Sequence, residues 1–489
     1  MSYSSEFSKY QTLTDILNHQ KVKEFFDDLK PKAFQPLDYQ NIDDFQKMDI
    51  QDYQSKLRFV FSFDGSKMKL PIYENLQNAN MHLIRVSQKL IMLDKLLDYQ
   101  KKSIPNPEDY HNIFITDNFN LFINDAQISN QQYQDPKDLF RFLIYENLNK
   151  NYNIFIDTLE SVGKKSQKKF TLLDSLIKVL HKKIQFNEQI ETAHPCQICG
   201  QQQTLKLSDF YSKENQNFKH EINCKCEENP KKLFVSDLLK FHEGFSYYYN
   251  NDGLAIQLMN FLEKIIFLNL IHNISIYFSE EELKDFFEES IFLLDGPLAL
   301  FNYASWFSQS LIYEIQELYS KNYNPIIIGV EKSGNFYNHL IELEKFRKEQ
   351  DNPLQKGFIF FLEDDYIKNY IQLSENDMEN ENKNNYQYGK NKYFGKKLFY
   401  KNHDNHLFVI NINFLPELIE EKYFHNQNSI EYIKEHHRLN DLIFILEKFS
   451  SQQYDNALSF ISMVHESASI SSQYFSKKAI QEFIKNTKF

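Results

Sequence analysis

Tryptophan is almost absent from this sequence, with 1 in 489 residues, and glycine (11) and proline (12) are scarce. So little Gly and Pro excludes collagen-like and proline-rich chains. Only 4 cysteines occur, all between Cys196 and Cys226, which is not the scatter of a secreted disulfide framework. An excess of positive charge is missing too. Lys+Arg is 55 against Asp+Glu 67, a formal net charge of -12, which argues against a protein that coats nucleic acid by bulk charge and requires any nucleic-acid groove to be local. The start, Met1-Ser2-Tyr3-Ser4-Ser5-Glu6, has neither a basic nor an apolar leader-like stretch. The most apolar run, Phe261 to Phe278, is interrupted by Glu263, Lys264, His272 and Asn273, a costly set for a lipid-spanning helix. A soluble, cytoplasmic protein with no membrane partner is expected.

What is present is a large apolar fraction, 42%, with Phe 45 and Tyr 30, enough to build a sizeable core in two or three structural units. Residues 1–55 read as a polar helical segment, with Leu13, Ile16, Leu17, Phe25, Phe26 and Leu29 at helical spacing. Arg58–Phe63 reads as a strand running into a turn at Asp64-Gly65-Ser66, and 75–100 as one long helix with Leu83, Val86, Leu90, Leu93 and Leu96 along one side. From 105 to 253 helical stretches (137–160, 170–190) alternate with polar connections. From 254 on, strands at 291–294, 326–330, 358–362 and 407–412 alternate with helices at 254–278, 303–320 and 335–348, and 428–489 reads as helical. Strands alternating with helices predict an α/β layered fold with a mixed sheet. Residues 374–392 are low-complexity and read as a loop.

Chemistry-bearing residues stand at strand ends. Asp64-Gly65 and Asp295-Gly296 each follow an apolar strand, where a carboxylate is held at a sheet edge and glycine leaves room for a phosphate or metal. The plainer reading of each pair is an ordinary turn. Glu263 lies among Met259, Ile266, Phe267 and Leu270 on a helix face, so its carboxylate needs a cation, a metal or a proton. The alternative is a buried ion pair. His465, beside Leu458, Ile461, Ala468 and Ser469, is either a core histidine or a ligand. Three carboxylates and an imidazole suit Mg²⁺ or Mn²⁺. Cys196-x-x-Cys199 and Cys224-x-Cys226 are two close thiol pairs suited to tetrahedral Zn²⁺ in a closed structural site, with His194 and His220 as spare ligands; reduced free thiols are the alternative.

The ordered series Phe63-Asp64-Gly65-Ser66, Leu258-Met-Asn-Phe-Leu-Glu263-Lys264, Leu294-Asp295-Gly296-Pro297, Ile328-Gly329-Val330-Glu331-Lys332-Ser333 and Val464-His465-Glu466-Ser467 resembles the NurA nuclease family. Tyr393–Lys401 and Leu362–Ile367 resemble strand segments of that family. The resemblance covers roughly 56–100 and 254–480. It implies an RNase H-like mixed sheet flanked by helices. The segment 105–253 departs from it and reads as a large, mostly helical insertion whose cysteines would form a zinc-binding hairpin at about 190–230. The resemblance also implies a Mn²⁺- or Mg²⁺-dependent deoxyribonuclease, a homodimer, and partnership with a HerA-type hexameric ATPase in DNA end processing or defence against foreign DNA. Carried over by position, Asp64, Glu263, Asp295 and His465 are metal ligands; Lys332, which follows the strand 326–330, is expected to contact the scissile phosphate or stabilise the developing charge. Candidate pieces of a local DNA groove are Lys164-Lys165, Lys168-Lys169, His181-Lys182-Lys183 and Lys396-Lys397 with Lys401. The competing expectation is a non-catalytic scaffold of the same fold that docks an ATPase ring or DNA.

Overall fold

The computed structural model describes residues 55–470, together with His19 and Gln20, apart from 73–75, 77–78, 103–111, 154, 156–168, 186–190, 197, 199–203, 213–216, 227–229, 372–391, 414–437 and 452–455. The chain divides into two compact units, Met1–Gln46 and Lys47–Phe489. The expected helical segment 1–55 and the low-complexity loop 374–392 lie almost wholly outside the described residues.

The body is a mixed α/β layer structure. Its strands are β1 (Phe59–Pro71), β2 (Asn80–Met92), β3 (Phe114–Asn124), β4 (Ser290–Asp295), β5 (Ile326–Glu331), β6 (Phe358–Phe361), β7 (Lys396–Lys401) and β8 (Leu407–Ile412). They form one eight-stranded sheet in the order β6-β7-β8-β5-β4-β1-β2-β3. The pairs β1–β4 and β4–β5 are parallel, and the others are antiparallel. The central strands β4 (SIFLLD) and β5 (IIIGVE) are almost entirely buried, as parallel strands covered on both faces must be.

Helices cover both faces. They are α1 (Leu93–Gln100), α2 (Pro136–Lys150), α3 (Leu172–Gln185), α4 (Asp252–Tyr277), α5 (Glu280–Glu288), α6 (Phe307–Ser320), α7 (Asn335–Glu349), α8 (Asp364–Tyr370), α9 (Leu439–Lys448) and α10 (Ser459–Ala468). One face packs Phe61, Phe63, Val86, Phe119, Phe292 and Leu294 against α4 and the helices beyond it. The opposite face packs Val60, Ile91, Ile291, Leu293, Ile328 and Val330 against α9 and α10. This is the period-2 alternation of strands buried on both sides. By length and composition α4 could cross a membrane, but 78% of its apolar window is buried inside the fold. A helix apolar all round belongs in a core.

Several expectations need correction. The long helix expected over 75–100 is β2 followed by the short α1. Leu83, Val86 and Leu90 fit a helical stripe, yet the β-branched Ile84, Val86 and Ile91 fill a pleated surface between two partner strands, and that packing overrides the helical spacing. Among its described residues the segment 105–253 carries strands beside its helices: β3 lies within it and completes the sheet, and short hairpins follow (Glu191–Ala193 with Thr204–Lys206, Tyr211–Ser212 with Asn217–Phe218, Glu221–Asn223 with Lys232–Phe234). Leu362–Ile367, expected as a strand segment, leads into α8 instead.

Candidate metal centre

Asp64 is not at a turn. β1 continues through Asp64-Gly65 to Pro71, paired with β2 throughout. The Asp295-Gly296 pair is the turn expected: it closes β4, Gly296 has φ +83°, and its N–H donates to Val330 O at 2.9 Å. Because β1 and β4 run parallel with Phe63 opposite Leu294, Asp64 and Asp295 become neighbours on the same sheet face. α10 lies on that face and delivers His465. One ligand atom each from Asp64, Asp295 and His465 falls within a span of 4.8 Å.

Asp64 Oδ1 accepts the Gly65 N–H at 2.8 Å, and Oδ2 lies 2.6 Å from His465 Nδ1. An ionised carboxylate only accepts, so the bond places a hydrogen on Nδ1, and in the neutral imidazole the lone pair lies on Nε2. The bond to Asp64 raises the His465 pKa against the opposing pull of burial. Lys332, just past β5, places Nζ 3.0 Å from Asp295 Oδ2, and its carbonyl is held by Asn456 Nδ2 at 2.8 Å. The Asp295 carboxyl is nevertheless pushed up, first by burial and then by the charge of Asp64.

Glu263 is not in the 4.8 Å group; it stands behind it, on α4, at the other face of the sheet. Gly65 points to that face, and a Cβ built there would lie 2.7 Å from Glu263 Oε1 and 2.6 Å from Met259 Cγ. Gly65 therefore supplies close approach between α4 and β1, not the sharp turn expected. Burial pushes the Glu263 carboxyl to about 7, with Asp64 and Asp295 adding to the rise and Lys264 opposing it. Lys264 Nζ sits 2.8 Å from Glu263 Oε2, both side chains being buried, so the ion pair foreseen as an alternative exists as well. The expectation missed Lys264 as that partner. Its signal was a lysine directly beside Glu263 in the most apolar stretch of the helix.

The residues present fit a hard divalent cation. Asp64 and Asp295 crowd together with Glu263 behind them, and Glu263 and Asp295 hold their protons more tightly than usual despite Lys264 and Lys332. Such a surplus of negative charge is what an oxygen-coordinated ion neutralises.

Among the cysteines, Cys196, Cys224 and Cys226 form a second group with ligand atoms within 4.8 Å, and Cys196 Sγ lies 3.4 Å from Cys226 Sγ. Thiolates on one tetrahedral zinc sit roughly 3.8 Å apart for Zn–S bonds of about 2.3 Å. Burial works against the Cys224 thiolate. The backbone N–H and thiol of Cys226 and the Lys231 N–H, 3.1 Å from Cys224 Sγ, outweigh it and lower the pKa. Cys199 lies outside the described residues. Neither spare histidine joins the group: His194 bonds to the Cys196 backbone, and His220 stands 3.8 Å from Asp174.

The basic pieces divide. Lys397 is buried against Glu331, and Lys401 donates to Glu344 at 2.9 Å, so neither is a groove residue; both complete buried ion pairs. Lys396 lies 3.5 Å from Asp364. Lys164, Lys165 and Lys168 lie outside the described residues, as do the side chains of Lys182 and Lys183.

No family model matches the sequence, and no curated protein matches it. Among solved structures the chain is similar to one titled "Crystal structure of NurA", at 10% identity, with a TM-score of 0.32, covering 96% of this chain and 98% of that one. A likeness this loose transfers no residue from one chain to the other.

Proposed function

We propose that this protein is a Mn²⁺- or Mg²⁺-dependent nuclease of NurA type that hydrolyses phosphodiester bonds in DNA. The observation that carries the reading is the meeting of Asp64, Asp295 and His465 within 4.8 Å, although they come from three separate parts of the chain. The strand order β3-β2-β1-β4-β5, three antiparallel strands followed by two parallel ones, supports an RNase H-like reading of that part of the sheet. Asp64, Asp295 and Glu263 are the carboxylates that would hold the ion, with His465 Nε2 as a further ligand. When bound, such an ion supplies a Lewis acid and an acidified water at phosphorus. Lys332, whose Nζ lies 3.0 Å from Asp295 Oδ2, would meet the negative charge that grows on a phosphoryl oxygen.

The same reading takes Zn²⁺ as the metal of Cys196, Cys224 and Cys226, with Cys199 as the fourth ligand, stapling the hairpins of a 105–253 insertion. It takes a HerA-type hexameric ATPase and a second copy of the chain as partners, and the cytoplasm as the compartment.

The test is incubation of labelled single- and double-stranded DNA with Mn²⁺, with and without EDTA, alone and with a HerA-type ATPase. The expected result is chelator-sensitive cleavage that Asp64→Asn and Asp295→Asn abolish while thermal unfolding stays cooperative. No cleavage under any of these conditions, or wild-type cleavage by either variant, overturns the reading and leaves the scaffold.

A further inference from the structure

The sheet face that carries Asp64 does not end at β1. On β3, Asp117, Phe119, Leu121 and Ile123 are buried against the α4 side, while Thr116, Asn118, Asn120 and Phe122 on the Asp64 side are exposed. The register aligns this open face with the acid cluster. Asp64 pairs with Ser87, which pairs with Asn118; two residues along, Ser66 pairs with Arg85, which pairs with Asn120. Strands lie about 4.8 Å apart, so the open β3 positions of this strip stand roughly 10 Å across the sheet from the cluster, beyond the buried Ser87.

The polar atoms of this strip share one orientation. Ser87 Oγ donates to Asn118 Oδ1, and Arg85 Nε donates to Asn120 Oδ1 at 2.9 Å. Both amide oxygens are thereby engaged, and both Nδ2 groups are left as donors. Arg85 is half-buried as a residue, its bond to Asn120 is exposed, and it makes no ion pair with a carboxylate among the described residues. Its two Nη groups remain for a ligand. Lys89, on the same face, is spent differently: Nζ donates to Met463 O at 3.1 Å and anchors α10, with Glu466 nearby. What faces solvent is a cation flanked by amide N–H groups with their acceptors turned inward. That pattern complements a ligand that only accepts hydrogen bonds and is anionic, as a phosphodiester is.

We propose that Arg85, with Asn118 and Asn120, seats the phosphodiester backbone of a nucleic-acid strand as it runs to the acid cluster. This deepens the nuclease reading and rests on it for the identity of the strand. Arg85 is a positioning residue: it grips a phosphate away from the bond that is cut.

The experiment measures binding of a fluorescein-labelled 20-nucleotide DNA by anisotropy, in Ca²⁺, across a salt series. It uses the full chain and the variants Arg85→Gln, Arg85→Lys and Asn118→Ala/Asn120→Ala, with thermal melts as the folding control. Losing one phosphate contact should weaken Arg85→Gln about tenfold and lower the slope of log K against log salt by about one. Arg85→Lys should keep the slope and lose part of the affinity, since an ammonium keeps the charge but not the fork. Unchanged affinity and slope in Arg85→Gln overturn the proposal. So does a polyglutamate peptide that binds as tightly as DNA through Arg85. Cleavage in Mn²⁺ is scored separately. Arg85-dependent binding without any cleavage sustains the strip and removes the hydrolase; cleavage with Arg85-independent binding does the reverse.

Discussion

Gly65 marks the point where Glu263 reaches the plane of the sheet: a single added carbon on Gly65 would stand 2.7 Å from the Glu263 carboxylate. His465 thus meets β1 from the α10 side and Glu263 approaches the same strand from the α4 side, at the gap that glycine leaves.

Gly65→Ala should displace Glu263 and Met259 without unfolding the chain. Overpacking of this size costs about 1–3 kcal/mol. Divalent-metal affinity, read by isothermal titration with Mn²⁺, should fall by at least about tenfold if Glu263 helps hold the ion. An unchanged Mn²⁺ affinity in the folded variant would separate Glu263 from the metal centre.

Metal binding should strengthen with pH. The Glu263 carboxyl is raised to about 7 in the folded protein, above its ordinary 4.5. In the metal-free protein its ionisation therefore works against the fold: the stability associated with the protonated form is complete below about 4.5 and is lost as pH climbs through about 7. A bound cation reverses that loss, so the rise in melting temperature on adding Mn²⁺ should be larger at pH 8 than at pH 6. Equal shifts at both pH values would contradict the linkage.

Asp237→Asn should be among the most damaging substitutions distant from the cluster. Arg141 is buried and bonds Asp237 through Nε at 2.8 Å and Nη2 at 2.6 Å, which holds the Asp237 carboxyl below its ordinary range against the effect of burial. Neutralising Asp237 leaves the buried guanidinium with Asp138 alone, 2.8 Å from Nη1, so the cost is set toward the lower end of the roughly 3–5 kcal/mol that breaking a buried pair incurs. Urea denaturation checks this, and a loss below 1 kcal/mol would mean that water reaches Arg141.

The cysteine group should carry about one equivalent of zinc per chain by elemental analysis. Cys224→Ser should lose it, and a zinc chelator should lower the melting temperature of the wild type but not of the variant. Purified protein free of zinc, yet equally stable, would favour reduced thiols.

The sequence marked much of this arrangement but not its depth. The apolar runs at 291–294 and 326–330 announced β4 and β5, because strands buried on both faces must be continuously apolar. Glu263 and His465 stood out as polar groups in apolar helical company. β2 was misread because its leucines happen to recur at helical spacing, and only its two partner strands decide otherwise. Gly65 was noticed for the wrong reason: a close approach between elements far apart in sequence leaves no local mark. Lys397 and Lys401 looked like surface charge because their partners, Glu331 and Glu344, are 66 and 57 positions away.

Asp64 and His465 are separated by 401 positions. During synthesis the first carboxylate emerges from the ribosome long before the imidazole, and Asp295 arrives between them. A growing chain therefore holds an incomplete set of these three side chains until α10 has been made and has settled on β1.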